Sequence, residues 1–264
     1  MTTEPISPDL KVTLRRLKLG RMLDTLPQRL VLARQQEIPH ADFLQLIMAD
    51  EVARREGATL NMRIKRANLD PEMRLERWDA TTSANYDRVL FNELVSLRFL
   101  ESHGHVAIVG PVGVGKTFLA QALGHLACQQ GYEVLVLRCD RMLKTLKQAR
   151  LDKSYDEELD KILAADLLIV DDFGLDAMDP TESRDAYEIM TERDGKGSII
   201  ITSNRGPDEW LATFADPVRA QSAIDRFTSR AYDLVIEGES YRQRLKPTFK
   251  DRPAMDRKEA TLVN

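Results

Sequence analysis

Only two cysteines, Cys128 and Cys139, occur in these 264 residues, and no apolar stretch approaches the ~20 residues of a membrane-crossing helix. Two thiols without metal-type spacing exclude a disulfide scaffold and suit a reducing compartment, where both are expected to fill the core. The segment Met1 to Leu10 carries Glu4, Pro5 and Pro8 in place of the cationic and then apolar pattern of an export signal, so a cytoplasmic protein with no membrane partner is expected. Neither sign of charge prevails. With a net charge of −4 and a pI near 5.7, any affinity for nucleic acid has to come from a local basic patch. The four histidines are scattered, and His103 and His105 have no Cys or acidic cluster beside them in the sequence, so no histidine metal centre is expected. Proline and glycine are not in the excess that keeps a chain disordered, and an apolar share of 43% is enough for one domain of ordinary size with a smaller companion.

The two parts differ in periodicity. Residues 1–70 read as helices only. Ser7 and Pro8 form a cap and first-turn pair, Leu10, Leu14 and Leu17 fall on one face, and Gly20 is expected to close that helix. A second amphipathic segment runs from Arg21 to Gln36, and a third opens at Pro39, with Gly57 as its expected stop. Helical periodicity fades between Asn68 and Ala84, so residues 71–85 read as a linker. From residue 86 to 242, short Val/Ile/Leu runs alternate with helices near 116–130, 140–164, 181–193 and 208–230. The runs are Val106 to Val109, Glu133 to Leu137, Leu167 to Val170, Ser198 to Thr202 and Tyr232 to Ile236. Buried runs joined by helices are the pattern of parallel strands, whose pairing requires such crossovers. Residues 243–264 read as a basic tail.

Residues Gly110, Pro111, Val112, Gly113, Val114, Gly115, Lys116 and Thr117 have the Walker A spacing between an apolar run and the start of a helix. Glycines let successive N–H groups turn toward one anion, and a helix N-terminus adds partial positive charge. Lys116 can then reach the β and γ phosphates of ATP while Thr117 offers a hydroxyl to Mg²⁺. Leu167 to Val170 is an apolar run ending in Asp171 and Asp172, the Walker B arrangement. Asp171 is the expected metal holder and Asp172 the acid for the attacking water. The next run delivers Asn204 at its end, either as a sensor of the γ phosphate beside Asp172 or as a turn or cap residue before Pro207.

Walker A, two acids and a strand-borne Asn together resemble the AAA+ ATPases. The phrases Gly115 to Leu123, including Phe118, Leu168 to Gly174, Asp225-Arg226-Phe227 and Gly238 to Arg242 resemble the IstB family of insertion-sequence helper ATPases, relatives of the DnaC helicase loaders. Leu44-Gln45-Leu46, Glu51, Arg54-Arg55 and Arg63 to Ala67 are similar to that family's amino-terminal module. The resemblance implies a parallel sheet in the order 5-1-4-3-2, an ATP-driven oligomer on duplex DNA with little sequence preference, and a partner transposase. It puts Arg226 where an arginine finger acts on a neighbour's ATP, with Arg230 as the rival, and Arg242 where a second sensor touches the nucleotide. Two departures stand out: Asp172 replaces the usual Glu, and little chain follows Arg242, so closure over the nucleotide is expected to rely on an adjacent subunit.

Arg141, Lys144, Lys147 and Arg150 recur at every third position after the second strand. They fan over one half of a helix whose other half carries Met142, Leu146 and Ala149. Such a face either tracks DNA phosphates or is simply solvated. Three other functions share the core motifs: a replicative helicase loader, a small-molecule kinase, and a nucleotide switch with little hydrolysis.

Overall fold

The structure, a computed structural model, describes residues 6–78 and 84–241. Arg242 and the basic tail lie outside the described residues. Two compact units divide between Met62 and Arg63.

The first unit holds α1 (Pro8–Arg16), α2 (Leu26–Gln35) and most of α3 (His40–Arg66). Ser7 caps α1, its Oγ accepting the Leu10 N–H at 3.2 Å, and Pro8 takes the first turn, where its missing N–H costs nothing. The left-handed residue after α1 is Lys18, with φ 58°, and not the expected Gly20; a short 3-10 turn then occupies Gly20–Asp24. Leu14, Met22 and Leu26 form the small core. Gly57 does not stop α3. A Cβ there would meet nothing within 4 Å, and the ~1 kcal/mol penalty of one glycine is outweighed by the strong helix formers around it. Glu51 is buried between Arg54 and Arg55, whose N–H groups hold its carboxyl at about 2.

The second unit begins with the last turn of α3 and continues through α4 (Arg88–Val95), α5 (Arg98–Glu101), β1 (His105–Val109), α6 (Lys116–Gln129), β2 (Val134–Arg138) and α7 (Cys139–Asp152). It ends with α8 (Tyr155–Leu163), β3 (Leu167–Asp171), α9 (Pro180–Arg193), β4 (Ser198–Ser203), α10 (Pro207–Trp210), α11 (Pro217–Thr228) and β5 (Ala231–Val235). The five strands pair in parallel in the order β2-β3-β4-β1-β5, which is the expected 5-1-4-3-2 read from the other edge. β1, β3 and β4 are buried along their whole length, as strands covered on both faces must be. Two expected helices are broken. Residues 140–164 divide at Lys153, whose φ of 60° and carbonyl-bound N–H end α7, and residues 208–230 divide because Asp216 and Pro217 start α11 afresh. Cys128 and Cys139 are buried and unbonded to each other, and burial pushes their thiols up to about 11 and about 12. Among the described residues, no helix is long and apolar enough to cross a membrane.

β3, β4 and β1 lie side by side, so the turns leaving their carboxyl ends converge: Asp172 after β3, Asn204 after β4 and the glycine loop after β1.

Candidate functional site

The loop from Gly110 to Gly115 leaves β1 and feeds the N-terminus of α6. Gly113 and Gly115 have φ of 85° and 102°, a region L side chains rarely adopt. Space reinforces conformation: a Cβ on Gly113 would lie 2.1 Å from Ser240 Oγ, and one on Gly115 2.6 Å from the Trp78 ring. Lys116 is buried, and its ammonium donates to the carbonyls of Gly110 (2.8 Å) and Pro111 (2.7 Å) and to Asn204 Oδ1 (2.7 Å). Those acceptors hold a positive charge at the mouth of the loop. Asn204 therefore touches Lys116, while Gly206 and Glu209 cap α10, which removes the helix-cap reading of Asn204.

Asp171 is buried at the end of β3. Its Oδ1 accepts from Thr117 Oγ1 at 2.8 Å and from Thr202 Oγ1 at 2.5 Å. Thr117 and Asp171 thus juxtapose a hydroxyl and a carboxylate, the hard oxygen donors that suit Mg²⁺. Among the described residues no three His, Cys, Asp or Glu converge. That donor set fits an ion that keeps several waters and takes further oxygens from phosphates. Asp172 follows with φ 57°, and its N–H donates to Thr202 Oγ1 at 3.0 Å.

Lys116, Thr117, Asp171, Asp172 and Asn204 line one cavity of about 580 Å³, the size of a small-molecule site. Val112, Val114 and Phe118 line it, as do Met73, Arg77, Trp78 and Tyr241, which sequence reasoning did not single out. Trp78 packs on Phe118 with ring centroids 5.3 Å apart, and its indole N–H donates to the Tyr86 hydroxyl at 3.1 Å. The available signal was a lone Trp in a polar connector ahead of the glycine loop. The stretch before it is tied to the sheet unit: Ala67 O accepts from Val136 N, and Asp70 N–H donates to Gln121 Oε1, each at 2.8 Å.

Arg226 and Arg230 are in different states. Arg230 faces Asp194 at 3.8 Å, whereas the half-buried Arg226 guanidinium has no hydrogen-bond or ion-pair partner among the described residues. The basic face of α7 is also uneven. Met142, Leu146 and Ala149 are buried as expected. Lys147 donates to Asp179 Oδ2 at 2.5 Å, and Asp179 in turn caps α9 through its other oxygen. Arg150 is fork-bonded to the fully buried Asp185, with one N–H at 2.7 Å, and lies 3.8 Å over the Tyr155 ring. Only Arg141 and Lys144 of the four are exposed without an ion-pair partner among the described residues. A second cavity, of about 620 Å³, shares Arg138, Asp172 and Leu175 with the first and continues past Lys144 and Lys147.

The fold is shared with solved structures. DnaI superposes with a TM-score of 0.55 at 22% identity, over 64% of this chain and 94% of that one. The replication initiator DnaA bound to AMPPCP and single-stranded DNA gives 0.52 at 24%, over 65% and 51%. In sequence, the chain is 37% identical over 241 residues to an insertion-sequence ATP-binding protein of Mycobacterium tuberculosis, covering 91% of this chain and 96% of the relative. It is 35% identical to the insertion sequence IS21 ATP-binding protein of Pseudomonas aeruginosa, covering 89% and 88%. Residues 12–248 match the model of the IstB-like ATP-binding proteins, and with the phosphate loop, paired acids and strand order above, the chain belongs to that family.

Proposed function

We propose that this protein hydrolyses ATP in an assembly on duplex DNA and that the assembly supports the transposase of an insertion sequence. The observation that carries the hydrolytic part is the convergence of Lys116, Thr117, Asp171, Asp172 and Asn204 on one cavity. The transposase part is supported by the likeness to ATP-binding proteins of insertion sequences.

Loop N–H groups and the α6 N-terminus take the β phosphate, and Lys116 exchanges its carbonyl contacts for β and γ oxygens. Thr117 and Asp171 would hold Mg²⁺, whose charge offsets that of the phosphates. Asp172 orients and deprotonates the attacking water, and Asn204, already on Lys116, reads whether the γ phosphate is present. Trp78 and Phe118 present an aromatic wall to the nucleobase. A second copy contributes Arg226, whose guanidinium, without a partner among the described residues, is suited to the charge that develops on the transferred phosphate. On DNA, Arg141 and Lys144 contact phosphates, while Lys147 and Arg150 stay on Asp179 and Asp185. Arg242 is assigned to the nucleotide by family resemblance.

Phosphate release measured with and without duplex DNA tests this reading. Release that rises with DNA and is lost in Asp172→Asn with ATP still bound is the expected result. Tight ATP binding without release under any condition would assign a nucleotide switch instead.

A further inference from the structure

Thr202, the fifth residue of β4, is fully buried, and every polar group it turns toward β3 serves the acidic turn. Its Oγ1 donates to Asp171 Oδ1 at 2.5 Å and accepts from the Asp172 N–H at 3.0 Å, and its carbonyl accepts from the Phe173 N–H at 2.9 Å. Between these contacts Asp172 has φ 57°, a conformation that costs a non-glycine residue about 1 kcal/mol or more and persists only where neighbours hold it. Nothing about a buried central strand requires a hydroxyl here. Valine has the same shape, and the three β4 positions before it, Ile199 to Ile201, are isoleucines.

We propose that Thr202 is a positioning residue for hydrolysis: one hydroxyl orients the carboxylate of Asp171 and also holds the left-handed turn that presents Asp172 to the cavity. With Thr117 and Thr202 both on Oδ1, Asp171 Oδ2 has no hydrogen-bond partner among the described residues, and Asp171 lines the cavity. Losing the Thr202 hydroxyl frees the carboxylate to rotate and leaves a buried N–H unpaired beside the acid that handles water. The inference rests on the hydrolytic reading of the site.

Two substitutions separate hydroxyl from shape. Thr202→Val keeps the branched volume and removes the hydroxyl; Thr202→Ser keeps the hydroxyl and removes a buried methyl. In the full chain, ATP affinity without Mg²⁺ should stay within about twofold in both, because neither change touches the phosphate loop. In Thr202→Val, the Mg²⁺ concentration that half-saturates tight ATP binding should rise several-fold. Its kcat should fall roughly ten- to a hundredfold, the range for one hydrogen bond to a charged group. Thr202→Ser should recover both to within about threefold, although its lost methyl makes it the less well packed of the two. Amide exchange across Asp171–Gly174 should quicken in Thr202→Val only. Equal Mg²⁺ dependence and exchange in all three proteins, or a serine variant worse than the valine variant, would overturn the proposal. A wild-type chain that binds Mg·ATP and releases no phosphate would sink the hydrolytic reading alone, since the Mg²⁺ and exchange readouts decide Thr202 without turnover.

Discussion

Replacing Arg226 with alanine should separate binding from hydrolysis. The side chain is half-buried on α11, near the end of the helix, and its removal breaks no ion pair among the described residues. Stability should change by about 0.5 kcal/mol or less, and ATP affinity of the isolated subunit should stay as it was. If the guanidinium acts on a neighbour's γ phosphate, kcat of the assembly should drop about a thousandfold or more. Mixing gives the sharper number. Arg226→Ala subunits keep an intact ATP site and Lys116→Ala subunits keep an intact finger. In a random equal mixture, about a quarter of interfaces pair the two intact halves, so about a quarter of the wild-type rate should return from two inactive proteins. Phosphate release across mixing ratios, with mixed assembly confirmed by native mass spectrometry, should peak at equal amounts. A flat profile at every ratio would refute the trans assignment. The same experiment with Arg230→Ala should show little loss, because that side chain already faces Asp194.

Trp78→Ala should weaken ATP binding about tenfold by removing one stacking face, while leaving affinity for inorganic triphosphate unchanged in a competition assay; equal losses for both ligands would move the base elsewhere. Changing Arg141 and Lys144 together to alanine should make the log-log salt slope of DNA binding shallower by about 1.8 per engaged subunit, at roughly 0.9 per phosphate, on every sequence tested. Lys147→Ala, by contrast, should lower the melting temperature through the loss of its contact to the α9 cap and leave that slope unchanged. His105 gives a pH test. Burial against Phe227 holds its imidazole down at about 4 against an ordinary 6.5, so the unfolded chain takes up a proton first as pH falls. Stability is therefore full above pH 6.5 and falls by on the order of 3 kcal/mol as pH drops toward 4. Urea titrations should show that loss to be smaller in His105→Asn, whose amide oxygen can still accept the Ile199 N–H; parallel pH profiles would contradict it.

The sequence by itself determined the glycine loop, Lys116 and Thr117, the acid pair, and the alternation of buried runs with helices. These are set by local chemistry: a phosphate cradle needs glycines just ahead of a helix, and a strand covered on both faces needs an unbroken apolar run. Element ends were less legible where short-range signals competed. Gly57 resembles a helix stop but lies within the 27-residue helix α3, and Lys153 ends α7 although nothing about a lysine forecasts φ 60°. Side-chain pairing across long sequence separations was not legible at all. Arg141, Lys144, Lys147 and Arg150 are equivalent by spacing, and only the packing of α9 against α7 brings Asp179 to Lys147 and Asp185 to Arg150, taking two cations out of the exposed set. Trp78 precedes Phe118 by 40 residues and Thr202 follows Asp171 by 31, so their contacts exist only once β4 lies between β1 and β3 and the connector has folded against α6. Local patterns carry the chemistry each segment can perform, whereas strand order and helix packing decide which of those groups meet.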